Sequence, residues 1–142
     1  MKVLIDTNIV LDYLLRREEF IEDSAELFQA IDSNRIVGYV TATTLTDIFY
    51  IARKHTRSIE QARQVVSDIL IVMEICPVNR TTLESALASG IADFEDAVQY
   101  FSALQADCSI IITRNEKDFK YSSLPIMTAE EYLSSISGSN LS

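Results

Sequence analysis

The sequence is poor in residues that bind soft metals or form disulfides, with two cysteines and one histidine in 142 residues. Cys76 and Cys108 lie far apart, form no C-x-x-C pair and have no second cysteine or histidine at the spacing of a zinc site. This pattern argues against a zinc protein. It predicts two reduced, buried cysteines, as is usual in the cytosol.

Long apolar runs are also absent from the sequence. Only Val3, Leu4 and Ile5 precede the first acidic residue, and this run is too short for a signal peptide. No run approaches the length of a membrane span, which is about 20 residues. We therefore expect a cytoplasmic protein with no membrane partner.

Positive charge is scarce, because 12 Lys and Arg residues accompany 21 Asp and Glu residues and the net charge is −9. An acidic chain is a poor non-specific binder of nucleic acid, so any contact with phosphates must be local or assisted by cations. The length and the 48% share of hydrophobic residues are typical of one soluble globular domain. We predict one domain over residues 1–136 and a flexible tail rich in Ser, Gly and Asn over residues 137–142.

Two short apolar runs without polar alternation, at 3–5 and 110–112, predict strands that are buried on both faces. Weaker strand patterns occur at 36–40, 74–78 and 126–127, and apolar residues recur at helical spacing between the strands. This alternation of strands and helices predicts an α/β sandwich with a parallel sheet.

Polar capping residues mark the predicted ends of several helices. The first helix is predicted to begin at Ile9, and Ser58 is predicted to cap the fourth. Gly90 marks the end of the fifth helix. Thr128 is predicted to cap a last helix over residues 129–136.

Four aspartates stand near the predicted ends of these elements. Asp6 follows the first strand, Asp47 lies in the first turns of the third helix, Asp96 begins the sixth helix, and Asp118 follows the fourth strand. If the first and fourth strands are neighbours, Asp6 and the loop with Asp118 share one edge of the sheet. Helices that start from this edge bring the other two aspartates toward it, so the four carboxylates would surround one pocket.

Each of these polar residues also has a simpler structural explanation. Asp and Asn cap helices, acids favour the positive end of the helix dipole, and both residue types are common in turns. Capping would explain Asp6, Asn8, Asp93 and Asp96, the dipole would explain Asp47, and a turn would explain Asn115 and Asp118. These explanations do not account for four acids at one edge of the sheet.

Like charges that crowd together either become protonated or hold cations between them. Because the acids offer oxygen ligands without His or Cys, they favour the hard cations Mg²⁺ and Mn²⁺. Such ions lower the pKa of a bound water and neutralise the charge of a phosphodiester. The acids therefore favour metal-assisted hydrolysis of phosphodiester bonds.

Four segments of the sequence carry a family resemblance: LIDTNIVLDYL, TATTLTDIFYIARK, DFEDAVQYFSA and IIITRNEKDF. They resemble, in the same order, the four motif blocks of the PIN-domain family, and above all its stand-alone prokaryotic members similar to VapC-type toxins. The resemblance extends from about Lys2 to Leu133. It implies a three-layer sandwich with a parallel, Rossmann-like sheet, a Mg²⁺ or Mn²⁺ cofactor, and endoribonuclease activity on RNA.

The resemblance also implies roles for individual residues, carried over motif by motif. The catalytic and metal-binding acids would be Asp6, Asp47 and Asp96, with a fourth in the TRNEKD loop. The supporting polar residues would be Thr7, Asn8 and Thr113.

Two positions depart from the family pattern. Asp47 stands where the family most often has Glu, and it is one methylene shorter. Asn115 stands where Asp is frequent, which makes Asp118 the expected fourth acid and metal ligand, with Asn115 as a neutral contributor. Asp93 is a further candidate, although we favour a capping role for it.

Arg53, Lys54 and Arg57 form the densest basic group in this acidic chain. Lys54 lies seven residues after Asp47 and so on about the same helical face. The group could contact RNA phosphates or an acidic partner, and the alternative is a solvated surface.

Two pairs of adjacent aromatic residues also lie near the acidic motifs. Phe49, Tyr50, Tyr100 and Phe101 could stack on bases. Aromatic residues at helical spacing are more typical of a core or of a dimer contact, which leaves a homodimer open.

The acids predict a metal-dependent phosphodiesterase, and the resemblance implies an endoribonuclease that acts as the toxin of a toxin–antitoxin pair, with a small antitoxin protein as its partner. One alternative is a catalytically inactive PIN-like scaffold that binds protein, which Asn115 keeps open. Another is a DNA-directed nuclease of the same fold. A phospho-acceptor receiver domain ranks lower, because it needs a Lys at the end of a late strand, where this chain has Thr113 and Arg114.

Overall fold

The computed structural model describes residues 1–140. Within them, the chain forms five strands and seven α-helices. The strands are β1 (Lys2–Ile5), β2 (Val37–Thr41), β3 (Glu74–Cys76), β4 (Ile110–Ile112) and β5 (Ile126–Met127). The helices are α1 (Thr7–Leu14), α2 (Ile21–Asp32), α3 (Ala42–Thr56), α4 (Ile59–Val72), α5 (Arg80–Ala88), α6 (Phe94–Gln105) and α7 (Ala129–Asn140), and a short 3₁₀ helix, Glu116–Phe119, follows β4.

The strands form one parallel sheet with β1 at its centre. The strand order is β3-β2-β1-β4-β5, and Ile5 of β1 is in register with Ile112 of β4. The first and fourth strands are therefore neighbours, which is the condition on which the shared edge depended. The strand order reverses direction between β1 and β4, and open α/β sheets bind their ligands outside the carboxyl ends of such strands.

Helices cover both faces of the sheet, because the side chains of β1 alternate between two buried clusters. Val3 and Ile5 pack with residues of α1, α2, α3, α4 and α7. Leu4 packs on the opposite face against Tyr100 and Ala103 of α6, and α5 packs against α6. This arrangement confirms the three-layer α/β sandwich.

The ends of the helices follow local capping chemistry. Ser58 Oγ accepts from the Gln61 amide at 3.1 Å and Thr128 Oγ1 accepts from the Glu131 amide at 3.1 Å, as predicted for caps of α4 and α7. Helix α1 begins at residue 7 rather than at residue 9, because the carbonyl of Asp6 already accepts from two amides of the first turn.

The end of α7 also differs from the prediction. The helix extends to Asn140 rather than ending at residue 136, so residues 137–140 of the predicted tail are helical. Ser and Asn are poor helix formers, but an existing helix adds residues at little cost, whereas starting one is unfavourable. The rest of the predicted tail, residues 141 and 142, lies outside the described residues.

Both cysteines are free and buried, as predicted. Contact with Cys108, together with burial, raises the pKa of the Cys76 thiol. Across residues 1–140, no helix has both the length and the apolar character required to span a bilayer.

Candidate functional site

A cavity of about 450 Å³ opens at the carboxyl edge of the sheet, where the order of the strands reverses. Seven of the residues predicted for the site line it: Asp6, Thr7, Asn8, Asp47, Asp96, Asn115 and Asp118. The other lining residues are Leu11, Tyr50, Ile51, Asp93, Glu95 and Gln99. We call this cavity the acidic pocket, since Lys, Arg and His are missing from its described lining.

Asp6 lies at the base of the acidic pocket and is only 5% exposed. Thr113 Oγ1 donates to its Oδ2 at 2.8 Å, and Gln99 Nε2 donates to its Oδ1 at 3.1 Å. Asp6 occupies the N-cap position of α1, but these two bonds hold its carboxylate elsewhere, and it makes no side-chain cap in the described structure. The capping alternative therefore does not explain the side chain of Asp6.

Threonine hydroxyls connect the loops around Asp6. Thr113 Oγ1 also accepts from the amide of Asn115 at 3.1 Å. Thr7 Oγ1 and Thr44 Oγ1 are 2.9 Å apart, and the latter is 3.0 Å from Thr41 Oγ1, the N-cap of α3. The first turns of α1 and α3 are thereby tied together, and α3 carries Asp47.

The start of α6 contributes two aspartates with different functions in the fold. Asp93 is the N-cap, as we favoured, and its Oδ1 accepts from the amide of Asp96 at 2.9 Å. Burial, together with the charges of Asp93, Asp6 and Asp118, raises the pKa of Asp96 from 3.8 to about 7. The rise shows that these carboxylates lie close enough to repel one another.

Asp47 lies in the second turn of α3, so the helix dipole, which acts mainly in the first turn, does not explain its position. Its partner is Glu95 of α6. A hydrogen bond to Asp47 raises the pKa of Glu95 to about 8, with burial and the neighbouring aspartates acting in the same direction. Two carboxyl groups can make such a bond only if they share a proton.

Asp118 and Asn115 reach the acidic pocket from the exposed loop after β4. The two residues also form a turn, because the amide of Asp118 donates to the carbonyl of Asn115 at 2.9 Å. The turn and the site are therefore compatible explanations for these two residues.

Glu95 and Gln99 are lining residues that the sequence did not single out. Glu95 is one of three acids within DFED, a density that was a usable signal. Gln99 lies one helical turn after Asp96 on the face of α6 toward β1, and it is almost fully buried. Its Oε1 has no hydrogen-bond partner within residues 1–140, so a water in the pocket could satisfy it.

The predicted basic group lies beside the acidic pocket. Lys54 and Arg57 line a second cavity of about 390 Å³ together with His55 and Leu15. Ile51 lines both cavities, so the two are adjacent. Arg53 is exposed and is not among the residues lining either cavity.

The aromatic residues divide between the surface and the core. Tyr50 is 66% exposed and lines the acidic pocket, and Phe49 lies edge-on to it. Tyr100 is buried and packs edge-on against Phe101 and Tyr121. The core alternative is therefore correct for Tyr100.

The residue types around the pocket fit a hard divalent cation, because carboxylate and amide oxygens are the ligands that Mg²⁺ and Mn²⁺ prefer. Each oxygen of Asp6 accepts one hydrogen bond and keeps further acceptor capacity. Within residues 1–140, no group of three Asp, Glu, His or Cys side chains already has the arrangement needed to hold a metal ion. Side-chain rotation, chiefly of the more exposed acids, would be needed to complete a ligand set.

A sequence model of the PIN domain matches residues 2–117. The chain belongs to the PIN domain family. No curated protein sequence matches this PIN domain.

Solved structures share the fold of this PIN domain. A chain of the VapBC2 complex from Rickettsia felis, bound to a promoter DNA fragment, aligns with a TM-score of 0.67 and 16% identity over 89% of this chain and 97% of that one. A chain of DNA-bound VapBC from Salmonella typhimurium aligns with a TM-score of 0.68 and 16% identity over 91% of this chain and 98% of that one. A chain of a toxin–antitoxin complex from Klebsiella pneumoniae aligns with a TM-score of 0.65 and 20% identity over 89% of this chain and 97% of that one.

Proposed function

We propose that this PIN domain is a divalent-metal-dependent endoribonuclease and the toxin of a toxin–antitoxin pair acting in the cytoplasm. The observation that carries the proposal is the acidic pocket. Asp6, Asp47, Asp96 and Asp118 converge there from four separate elements, without a basic side chain in the described lining. Uncompensated carboxylates at the carboxyl edge of a parallel sheet favour cation binding and chemistry on a phosphodiester.

In this proposal the four aspartates of the pocket have two roles, which are direct binding of the metal ion and orientation of the attacking water. Asp6 and Asp96 would hold Mg²⁺ or Mn²⁺ directly, and Asp47 and Asp118 would complete its ligand set or orient the attacking water. When bound, the ion lowers the pKa of water and neutralises phosphate charge. Water attacks phosphorus in line, the bond from phosphorus to the 3′ oxygen breaks, and the products are a 3′-hydroxyl and a 5′-phosphate.

The polar residues around Asp6 would keep its carboxylate oriented. Thr113 and Gln99 each donate to one of its oxygens, which fixes the plane of the carboxylate. Thr7, Asn8 and Asn115 would serve as further hydrogen-bonding groups near the scissile phosphate. Preorganised donors of this kind avoid reorganisation during the reaction.

The RNA would extend from the acidic pocket into the adjacent basic cavity. Lys54 and Arg57 lie next to the pocket across Ile51, where they would bind phosphates of flanking nucleotides. Arg53 would contribute to the same basic surface from further out. Tyr50 is exposed at the pocket and would stack on an unpaired base.

The same pocket supports the antitoxin partner. An Arg or Lys side chain from a small protein would pair strongly with the clustered carboxylates and block access of a cation. The structural neighbours described as VapBC or toxin–antitoxin complexes support this part of the proposal through their shared fold. A homodimer stays a prediction.

The test is cleavage of mixed RNA and mixed single-stranded DNA pools by the purified protein with Mg²⁺, Mn²⁺ or EDTA, alongside calorimetric titration of Mn²⁺. We expect Mn²⁺ binding and cleavage of RNA that EDTA abolishes. Cleavage of DNA alone would favour the DNA-directed nuclease. No cleavage together with no Mn²⁺ binding would favour the scaffold.

Expression in cells tests the toxin part of the proposal. We expect growth arrest by the unaccompanied protein and normal growth with an Asp6→Asn variant. Normal growth with verified soluble parent protein would contradict the toxin assignment.

A further inference from the structure

A second polar cluster lies outside the acidic pocket, around Asp12 of α1. The Asp12 side chain is fully buried. Arg17 Nη1 lies 3.1 Å from its Oδ1, and Arg114 Nε lies 2.9 Å from its Oδ2. The guanidinium carbon of Arg114 lies 4.2 Å from the ring centroid of Phe20, which is the geometry of a cation–π contact. We call these four residues the Asp12 cluster.

Arg114 connects the Asp12 cluster to the acidic pocket through the backbone. Its neighbour on one side is Thr113, which bonds to Asp6, and its neighbour on the other is Asn115, which lines the pocket. The side chain of Arg114 is directed away from the pocket, toward α1 and the start of α2. A single residue therefore belongs to both regions.

The loop from Thr113 to Phe119 is anchored mainly at its two ends. Phe119 is buried beside Tyr121, whereas residues 115–118 between the two ends are exposed. Glu116 contacts Glu131 of α7. Since two ionised carboxylates repel, this contact is a poor anchor at neutral pH. Arg114 is then the charged anchor of the loop at the end nearer Asp6.

We propose that Arg114 is a positioning residue whose ion pair with Asp12 and contact with Phe20 fix the loop 113–119 in the position where Thr113 holds Asp6 and Asp118 faces the pocket. The inference rests on the proposed function for its effect on cleavage. Its effect on the loop is independent of that function. Arginine suits this task because its planar group can pair with a carboxylate and lie over a ring at once.

Arg17 provides a matched control. It pairs with the other oxygen of the same carboxylate, and its side chain is about as exposed as that of Arg114, at 35% against 27%. Arg17 lies between α1 and α2 and has no place in the loop 113–119. Arg17→Ala and Arg114→Ala therefore both leave Asp12 with one guanidinium partner, and only the second removes the anchor of the loop.

The experiment is amide hydrogen exchange of the parent and both variants without metal. We expect the hydrogen-bonded amides of Thr113, Asn115 and Asp118 to exchange about tenfold faster in Arg114→Ala and at the parental rate in Arg17→Ala, because local opening depends on local contacts. In both variants we expect faster exchange around residues 12–20. Equal exchange of residues 113–119 in the two variants would overturn the proposal.

Cleavage of RNA with Mn²⁺ is the second readout. We expect Arg114→Ala to lose about tenfold or more in kcat, because small displacements of catalytic groups are costly. Arg17→Ala should stay near the parental rate. If the parent cuts no RNA while the exchange difference is present, the proposed function fails and the positioning role of Arg114 stands. If the parent cuts RNA and the two variants cut equally well, the positioning role fails.

Two milder variants keep the test decisive if Arg114→Ala does not fold. Arg114→Lys retains the charge beside Asp12 without the planar group, and Phe20→Leu retains both charges without the ring. Each should accelerate exchange of residues 113–119 by less than Arg114→Ala would. If both leave this exchange at the parental rate, Arg114 is not an anchor.

Discussion

Asp6 and Asp12 are buried carboxylates six positions apart in the sequence. They differ in the charge of the groups that contact them. Asp6 receives two hydrogen bonds from neutral groups, Thr113 and Gln99. Asp12 receives two guanidinium groups, from Arg17 and Arg114. Both oxygens of Asp6 accept hydrogen bonds, whereas Oδ2 of Asp12 pairs with Arg114 by charge and has no hydrogen-bond partner within residues 1–140.

The difference lies in the net charge that remains. Burial raises the pKa of Asp12, and the two guanidinium groups act against that rise. Around Asp6 the neighbouring ionisable groups in the described pocket are other acids, so its charge is left uncompensated. A buried charge that is hydrogen-bonded but unneutralised is costly unless a cation joins it. The comparison teaches that the described fold supplies cationic partners to Asp12 and none to Asp6, as the proposed metal site requires.

The largest expected effect is on catalysis by Asp6→Asn. The amide keeps the size of the side chain but removes the charge that would hold a cation. A loss of a few kcal/mol in transition-state stabilisation lowers the rate about a hundredfold or more. The check is cleavage of an RNA pool with Mn²⁺, together with circular dichroism for the fold. Cleavage by Asp6→Asn at the parental rate would show that the charge of Asp6 is not needed.

The next largest effect is on stability, and here we expect the larger loss from the variant at Asp12 rather than from the variant at Asp6. Asp12→Asn should lower the free energy of unfolding by about 2 kcal/mol, because the two guanidinium groups lose a buried charged acceptor. Asp6→Asn should lower it by less in metal-free buffer, since relief of repulsion offsets the one hydrogen bond that the amide nitrogen cannot accept. Urea denaturation of both variants measures the difference. Equal losses would erase the distinction between the two carboxylates.

A third prediction concerns how the stability of the metal-free protein depends on pH, and it tests whether the carboxylates of the acidic pocket repel one another. The pKa of Asp96 is raised from 3.8 to about 7 in the folded state. Between these values the folded state binds more protons than the unfolded state, so stability falls as pH rises through this window and then levels off. Metal-free protein should therefore melt at a lower temperature at pH 8 than at pH 5.

The matched control for the pH prediction is Asp96→Asn, which should show a smaller difference between the two melting temperatures. The difference should not vanish, because the pKa of Glu95 is raised to about 8 and burial raises the pKa of Asp12 in the same direction. Parent protein that is more stable at pH 8 than at pH 5 in EDTA would contradict the prediction.

The smallest effect is expected at Asp93, which caps α6 and also lines the acidic pocket. Asp93→Ala should cost about 1 kcal/mol of stability, because the amide of Asp96 loses its acceptor. Asp93→Asn should retain the cap, since Asn caps helices about as well as Asp. Both should retain most of the cleavage activity if Asp93 only caps. A large loss of activity in Asp93→Asn, with unchanged melting, would make Asp93 a member of the site.

Much of the site was predictable because strand ends and helix starts have sequence signatures. The apolar runs before Asp6 and before Thr113 mark two strands that turn out to be neighbours. The partners of Asp6 and Asp47 were harder to find. Gln99 and Glu95 are ordinary surface residue types in a helical pattern, and their roles depend on which face of α6 meets β1 and α3.

The sequence by itself determined the parallel sheet, the position of four aspartates near the ends of strands and helices, and the cap of α6 by Asp93, because each follows from local patterns of a few residues. Only the tertiary structure decided which charges are compensated. Asp12 and Arg114 are distant in sequence, and their pairing depends on how the loop after β4 folds over α1. Electrostatic compensation is a property of distances in space, so the same residue type, Asp, has cationic partners at position 12 and neutral hydrogen-bond donors at position 6.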